Sequence, residues 1–187
     1  RRINLFELGG SIFNSAENLA GINYEARADF YRLTESFGAS KETGFIIDLS
    51  GTKYIDEEHP LNVRLITDFS TFTDTATQDL HNFYLQPNFT YHGERFKVKI
   101  GANVVSHEDD FFLFPDVEAE AGIIGNQLGA FVGWEGSLQK NNFRNLIEYN
   151  PFVASRLIVE NAHYNNWYGG VRGSFNDFGY EAQAGFK

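Results

Sequence analysis

Three carboxylates and an imidazole stand side by side at Ser106-His107-Glu108-Asp109-Asp110. Hard cations take oxygen ligands of this kind, so Glu108, Asp109 and Asp110 are the chain's metal candidates. A calcium-binding loop of the helix–loop–helix type, however, spaces its acids and places a Gly between them, and both features are missing. A solvated acidic loop is the simpler reading. Asp56-Glu57-Glu58-His59-Pro60 invites the same idea and has the same weakness. Asp116, Glu118 and Glu120 alternate along one stretch, as do Glu25, Arg27 and Asp29. Glycoside hydrolysis needs two carboxyls facing each other across a sugar. Acids two apart on a strand point the same way instead, which suits a charged wall better than a catalytic pair. Lys97, Lys99 and Arg64 could supply its counter-charges from neighbouring strands.

Other constellations carry less. Gly169-Gly170-Val171-Arg172-Gly173 has no helix behind it to make a phosphate loop. His81, His92 and His163 lack metal spacing, and no Ser-His-Asp arrangement stands out, so neither a catalytic residue nor a cofactor is expected. Ligand contact is best sought in an irregular segment near the C-terminal end. Tyr149, Phe152, Tyr164 and Trp167 there could touch a ligand or partner from an outer loop. Such aromatics near a strand end more often form an interfacial girdle, where rings with an apolar body and a polar edge settle.

The elements that must position these residues announce themselves by a two-residue period. Ala20, Ile22, Tyr24, Ala26, Ala28 and Phe30 alternate with polar neighbours, and Phe96, Val98, Ile100, Ala102 and Val104 alternate with Lys97, Lys99, Gly101 and Asn103. Successive side chains of a strand point to opposite faces, so this is the strand signature. Ten strands are expected: Ile3–Phe13, Ala20–Arg32, Phe45–Tyr54, Leu61–Phe72, His81–Tyr91, Phe96–Val105, Phe111–Ile123, Leu128–Leu138, Trp167–Phe175 and Phe178–Phe186. Each approaches the ~9–11 residues that cross a bilayer at a tilt. Pro87 and Pro115 cannot donate to a ladder and predict bulges or unpaired positions. Asn142–Tyr149 predicts a short helix ending before Pro151.

Connections alternate in length. His92–Arg95, Ile124–Gln127 and Asn176-Asp177 are tight, whereas the acidic Ser106–Asp110 and the long Gln139–Asn166 fall on the opposite side. Short turns on one rim and longer loops on the other are the habit of outer-membrane barrels. Asp56–Pro60, on the tight-turn side, fits that rule less well.

The 187 residues suffice for one domain, rich in Phe (19) and Tyr (9). A net charge of −10 opposes binding to nucleic acid. The absence of Cys removes disulfides and thiolate metal sites. No run approaches the ~18 apolar residues of a membrane helix, which says nothing against a wall of strands. The opening Arg1-Arg2-Ile3-Asn4 has no initiator Met and no signal-peptide pattern, as expected of a piece of a longer or processed protein. Alternation alone also fits a soluble antiparallel sheet with one wet face. Against that reading stand the strand lengths, the scarcity of helix to cover the apolar face, and the many Ala on it (Ala26, Ala28, Ala102, Ala119, Ala121, Ala130). A protein core needs interdigitating bulk, whereas acyl chains fill gaps.

Four motifs follow in order: Phe112 through Ala119, Ala130 through Asn141, Glu148 through Val153, and Tyr168 through Phe175. Over residues 80–187 they resemble the barrel of TonB-dependent-receptor-like outer-membrane proteins of Bacteroidota. Tyr149 separates Glu148 from Asn150-Pro151-Phe152-Val153, a small departure. The resemblance implies a bacterial outer-membrane location, a lipid-facing exterior and a larger barrel. It also implies an N-terminal plug and a TonB-contacting segment, neither of which these residues contain. The expectation is therefore an all-β, antiparallel up-and-down meander, residues 1–187 forming one segment of a transmembrane β-barrel. It would be non-enzymatic and serve uptake of an unknown ligand or a structural role in an outer-membrane complex. The rival is a soluble all-β periplasmic or secreted binding module whose apolar face packs on a second sheet.

Overall fold

A computed structural model describes residues 2–14, 20–36, 39–107, 110–125, 127–153, 157–175 and 177–187. Ten antiparallel strands run in sequence order through one sheet. They are β1 (Ile3–Phe13), β2 (Ile22–Glu35), β3 (Lys41–Ile55), β4 (His59–Thr73), β5 (Thr77–His92), β6 (Phe96–His107), β7 (Asp110–Ile124), β8 (Leu128–Asn141), β9 (Glu160–Phe175) and β10 (Phe178–Phe186). One helix, α1 (Phe143–Tyr149), lies between β8 and β9. The meander and its ten strands follow the alternation of the sequence. Among the described residues the sheet does not close, because β1 pairs only with β2 and β10 only with β9.

Register puts the apolar set on one face. Phe30, Phe45 and Phe69 follow one another across β2–β4, and Phe89, Ile100, Val117 and Trp134 across β5–β8. Among the described residues nothing covers this outer face: Ile100 is 62% exposed, Val132 58% and Leu113 74%. The inner face carries the charges over half of its height and a hydrophobic core over the other half.

That core forms because the β8–β9 hairpin departs from the sheet. β8 pairs with β7 only as far as Asp116↔Glu135, while β8 and β9 stay paired with each other out to Asn141↔Glu160. The free ends of the hairpin, Gly136–Asn141 and Glu160–Asn165, lie over the inner face with α1. Leu138 packs with Tyr84, Val105 and Phe114. Phe143, Ile147 and Val159 pack with Leu33, Phe72 and Leu80. We call this folded-over portion the strap, and its end of the sheet the strap end. The other end carries the turns after β1, β3, β5, β7 and β9.

Several sequence expectations are corrected here. Ser106 and His107 belong to β6 and Asp110 opens β7, so these three are strand rather than loop, while Glu108 and Asp109 lie outside the described residues. The long connection is 142–159, since β8 runs on to Asn141 and β9 starts at Glu160. Asp56–Glu58 is a tight turn, closed by the Glu58 amide donating to the Ile55 carbonyl at 3.2 Å. Its central residues Asp56 and Glu57 take φ of 51° and 63°, as a type I′ hairpin turn demands. The strap-end connections at Asp74–Ala76 and between His107 and Asp110 are equally short, so the difference between the rims rests mainly on 142–159. Of the two expectations for the prolines, the unpaired position is the one found, and neither makes a bulge. Pairing of β5 with β6 lapses at Gln86 and Pro87 without losing register, and Pro115 stands where β8 parts from β7. The register shift is at Gly122/Ile124.

Candidate functional site

The inner face toward the turn end is a polar groove, built by every second residue of β2 to β9. Its charges pair across strands. Arg64 reaches Asp48 at 2.5 Å, Lys99 reaches Asp116 at 2.7 Å, and Arg27 binds Asp29 on its own strand at 2.6 Å. Arg172 forks onto Glu120, its Nε donating at 2.8 Å, and lies 3.6 Å from Glu118. Tyr168 donates to Glu118 at 2.7 Å. Amides continue the lattice: the Thr52 hydroxyl donates to Asn62 at 2.6 Å, and Asn62 donates to Asn88 at 2.9 Å.

Two expected counter-charges, Arg64 and Lys99, are thus in place. The third, Lys97, makes no ion pair among the described residues. Arg172 does more than any of them, and the sequence reading missed it as a counter-charge. Its signal was available: Arg172 follows Tyr168 and Gly170 at two-residue steps, on the face opposite Val171. A cavity of about 1000 Å³ opens at the turn end, lined by Arg95, Lys97, Glu120, Arg172, Tyr180 and Glu181. A smaller one of about 400 Å³ lies deeper, among Arg64, Gln86, Lys99, Asp116, Glu135 and Tyr164. Both signs of charge line each cavity, so the groove suits water and polar solutes and offers no isolated acid–base pair.

At the strap end the groove is filled. Glu42, fully buried, is the centre of a hydrogen-bond cluster. Its carboxylate accepts from the Tyr31 hydroxyl at 2.8 Å and from the Phe143 and Arg144 amides at 2.7 and 3.3 Å. Those amides belong to the first turn of α1, where no carbonyl of the helix can reach them. Asn142 caps the same turn, its side chain accepting from the Asn145 amide at 3.0 Å, and donates to Tyr31 at 2.8 Å. Tyr31 can lie flat because its neighbour across the strands is Gly44, where any Cβ would collide with the ring. Arg144 lies over the Tyr31 ring and pairs with Glu7 of β1 at 2.6 Å. Lys140, 5% exposed along its side chain, pairs with Asp68 at 2.5 Å. Asn82 and Asn161 exchange hydrogen bonds at 2.9 Å. His163 meets Phe112 edge-on at 4.5 Å.

The four aromatic candidates do not converge. Tyr149 and Phe152 are exposed at the end of α1 and just beyond it. Tyr164 is half-buried at the smaller cavity, with the Lys187 ammonium 4.5 Å from its ring centroid. Trp167 stacks on Trp134 at 4.3 Å on the outer face, part of the wall rather than of a loop. Of the metal candidates, Glu108 and Asp109 lie outside the described residues. Asp110 starts β7, exposed and opposite His107, and no cluster of three or more metal-binding side chains occurs among the described residues. Among the described residues no helix is long and apolar enough to cross a membrane, which says nothing of strands. Compared with known proteins, the chain matches no family model, no curated protein and no solved structure.

Proposed function

We propose that this chain is a membrane-spanning part of a bacterial outer-membrane β-barrel, apolar toward lipid and charged toward its lumen. Its role would be non-enzymatic: ligand uptake, as in the TonB-dependent-receptor-like proteins its motifs resemble, or support of an outer-membrane complex. The observation that carries this reading is the inverted polarity of the sheet. Across the ten strands the face rich in Phe, Leu, Ile and Val is bare, while the other face carries ion pairs and an amide ladder toward the turn end and is covered by the strap toward the other. In water the bare apolar face would be the one to hide. On β7 the outward residues run from Phe111 to Ala121. Ten steps of ~3.3 Å, tilted by ~40°, span about 25 Å, the height of a lipid-facing band. Unpaired ladder edges are costly in hydrocarbon. On this reading β1 and β10 therefore find partners, either each other or further strands of a larger barrel.

The first test is expression without detergent, with light scattering for size and circular dichroism for β content. Aggregates that detergent converts into a heat-resistant β-rich form support the proposal. A monodisperse soluble species sinks it and favours the module whose outer face packs on a second sheet. A finer test places a charge on each face. Ile100→Lys should cost about 2–4 kcal/mol of folding stability in lipid and Asn88→Lys under about 1 kcal/mol; equal costs would deny the difference between the faces.

A further inference from the structure

We infer that the strap, made of α1 and the paired ends of β8 and β9, is a latched internal gate. It shuts the strap end of the groove and swings off as a unit about the point where β8 leaves β7. Three observations converge on this. First, the strap is held to the sheet by side chains alone on its β7 side, because the ladder stops at Asp116↔Glu135. A body joined in this way can leave without breaking a strand pairing. Second, the joint is built for close approach. A Cβ on Gly136 would lie 2.9 Å from the Phe114 Cβ, and Asn103 donates to the Gly136 carbonyl at 3.3 Å and to the Ser137 hydroxyl at 2.9 Å. Third, the latches sit at the far side of the strap, on elements distant in the chain. Glu42 of β3 holds the start of α1, Glu7 of β1 holds Arg144, and Asp68 of β4 holds Lys140. Glu42 accepts from Tyr31 on the neighbouring β2, as a wall residue does, but it also accepts two backbone amides of α1, which no described wall residue of the open half does. Here it ties the strap to the opposite side of the groove. While the latch holds, α1 and the ends of β8 and β9 fill the strap end of the groove, and its turn end stays open.

The chain contains no Cys, so single cysteines report access cleanly. Leu80→Cys lies beneath the strap, Phe131→Cys is buried at the turn end away from it, and Phe152→Cys is exposed. Each is placed in the full chain and labelled with a charged, water-soluble maleimide under conditions where the unmodified chain gives its folded circular dichroism spectrum. The 80 site should react at least a hundredfold more slowly than the 152 site. Adding Glu42→Ala should speed it at least tenfold and leave the 131 site unchanged. Gly136→Ala, which forces the joint apart without touching the latch, should do the same; Val105→Cys, also beneath the strap, replaces Leu80→Cys if that variant fails to fold. Fast labelling at 80 with the latch intact would overturn the gate, as would no acceleration on its loss. Equal acceleration at 131 would also overturn it, by showing that the whole sheet loosens. The readout requires only folded protein, with or without detergent, so failure of the membrane reading leaves this test standing.

Discussion

The two halves of the inner face are made by the same strands, yet one is a water-facing lattice of ion pairs and the other a closed core. On β4, Arg64 belongs to the first and Phe72 to the second; on β5, Asn88 and Leu80 divide in the same way. The comparison teaches that alternation assigns a side chain to a face but not to an environment. The strap creates the second environment. It excludes water over half the groove, so groups there must be apolar or fully hydrogen-bonded, as Glu42, Tyr31 and Asn142 are. The open half tolerates charges of both signs because water screens them.

The sharpest way to break this contrast is to hollow the core. Phe143 is fully buried against Phe72, with ring centroids 4.9 Å apart. Phe143→Ala should cost about 3–5 kcal/mol, measured as a shift in the denaturant midpoint. A cost below about 1 kcal/mol would mean that the strap is not packed as described. Next in size, Tyr31→Phe removes one hydroxyl that donates to Glu42 and accepts from Asn142, leaving the buried Asn142 side-chain amide without that acceptor and Glu42 with only the two α1 amides. A loss of about 1–3 kcal/mol is expected, with faster hydrogen exchange confined to α1 and its neighbours. In the open half the effects should shrink. Arg172→Ala breaks the pairing with Glu120 and Glu118, yet those side chains remain partly wet. Its cost should be about 0.2–1 kcal/mol and should fall further in high salt. A loss as large as that at Tyr31 would erase the distinction between the halves.

The smallest effect belongs to a group outside both environments. In the turn between β4 and β5 the exposed Asp74 accepts from the Ala76 amide at 2.9 Å, which holds its carboxyl below the ordinary carboxylate range. A depressed folded-state value stabilises above the unfolded pKa of ~3.9 and is lost as pH falls through the folded value. Asp74→Asn should therefore be slightly less stable than the parent at neutral pH and equal to it in strong acid, in paired melts at the two pH values.

Much of this architecture could be read from the residues. Every strand was visible because each buries or bares one face over many residues, and the period of two survives small boundary errors. The short helix was visible from Asn142 and from Pro151, which disfavours helix at the residue before it. The early half of β9 was missed: Glu160–Asn166 has no regular alternation, since it pairs with β8 away from the main wall. The strap did leave a trace. Tyr31 and Leu33, Phe72, Tyr84, Val105, and Phe112 with Phe114 are apolar residues on the face that elsewhere carries charge. They all lie in the strap-end halves of their strands, which is where an inner cover is needed.

The sequence by itself determined a ten-stranded antiparallel meander with one apolar and one charged face, because side-chain alternation and neighbour-to-neighbour pairing are local properties. Only the tertiary structure decided that the β8–β9 hairpin folds inward. It also decided that Glu42 meets Phe143 across 101 positions of the chain and that Arg172, rather than Lys97, binds Glu120. Those contacts join residues far apart in the chain, and their strength comes from water being excluded by other distant segments, which no local pattern encodes.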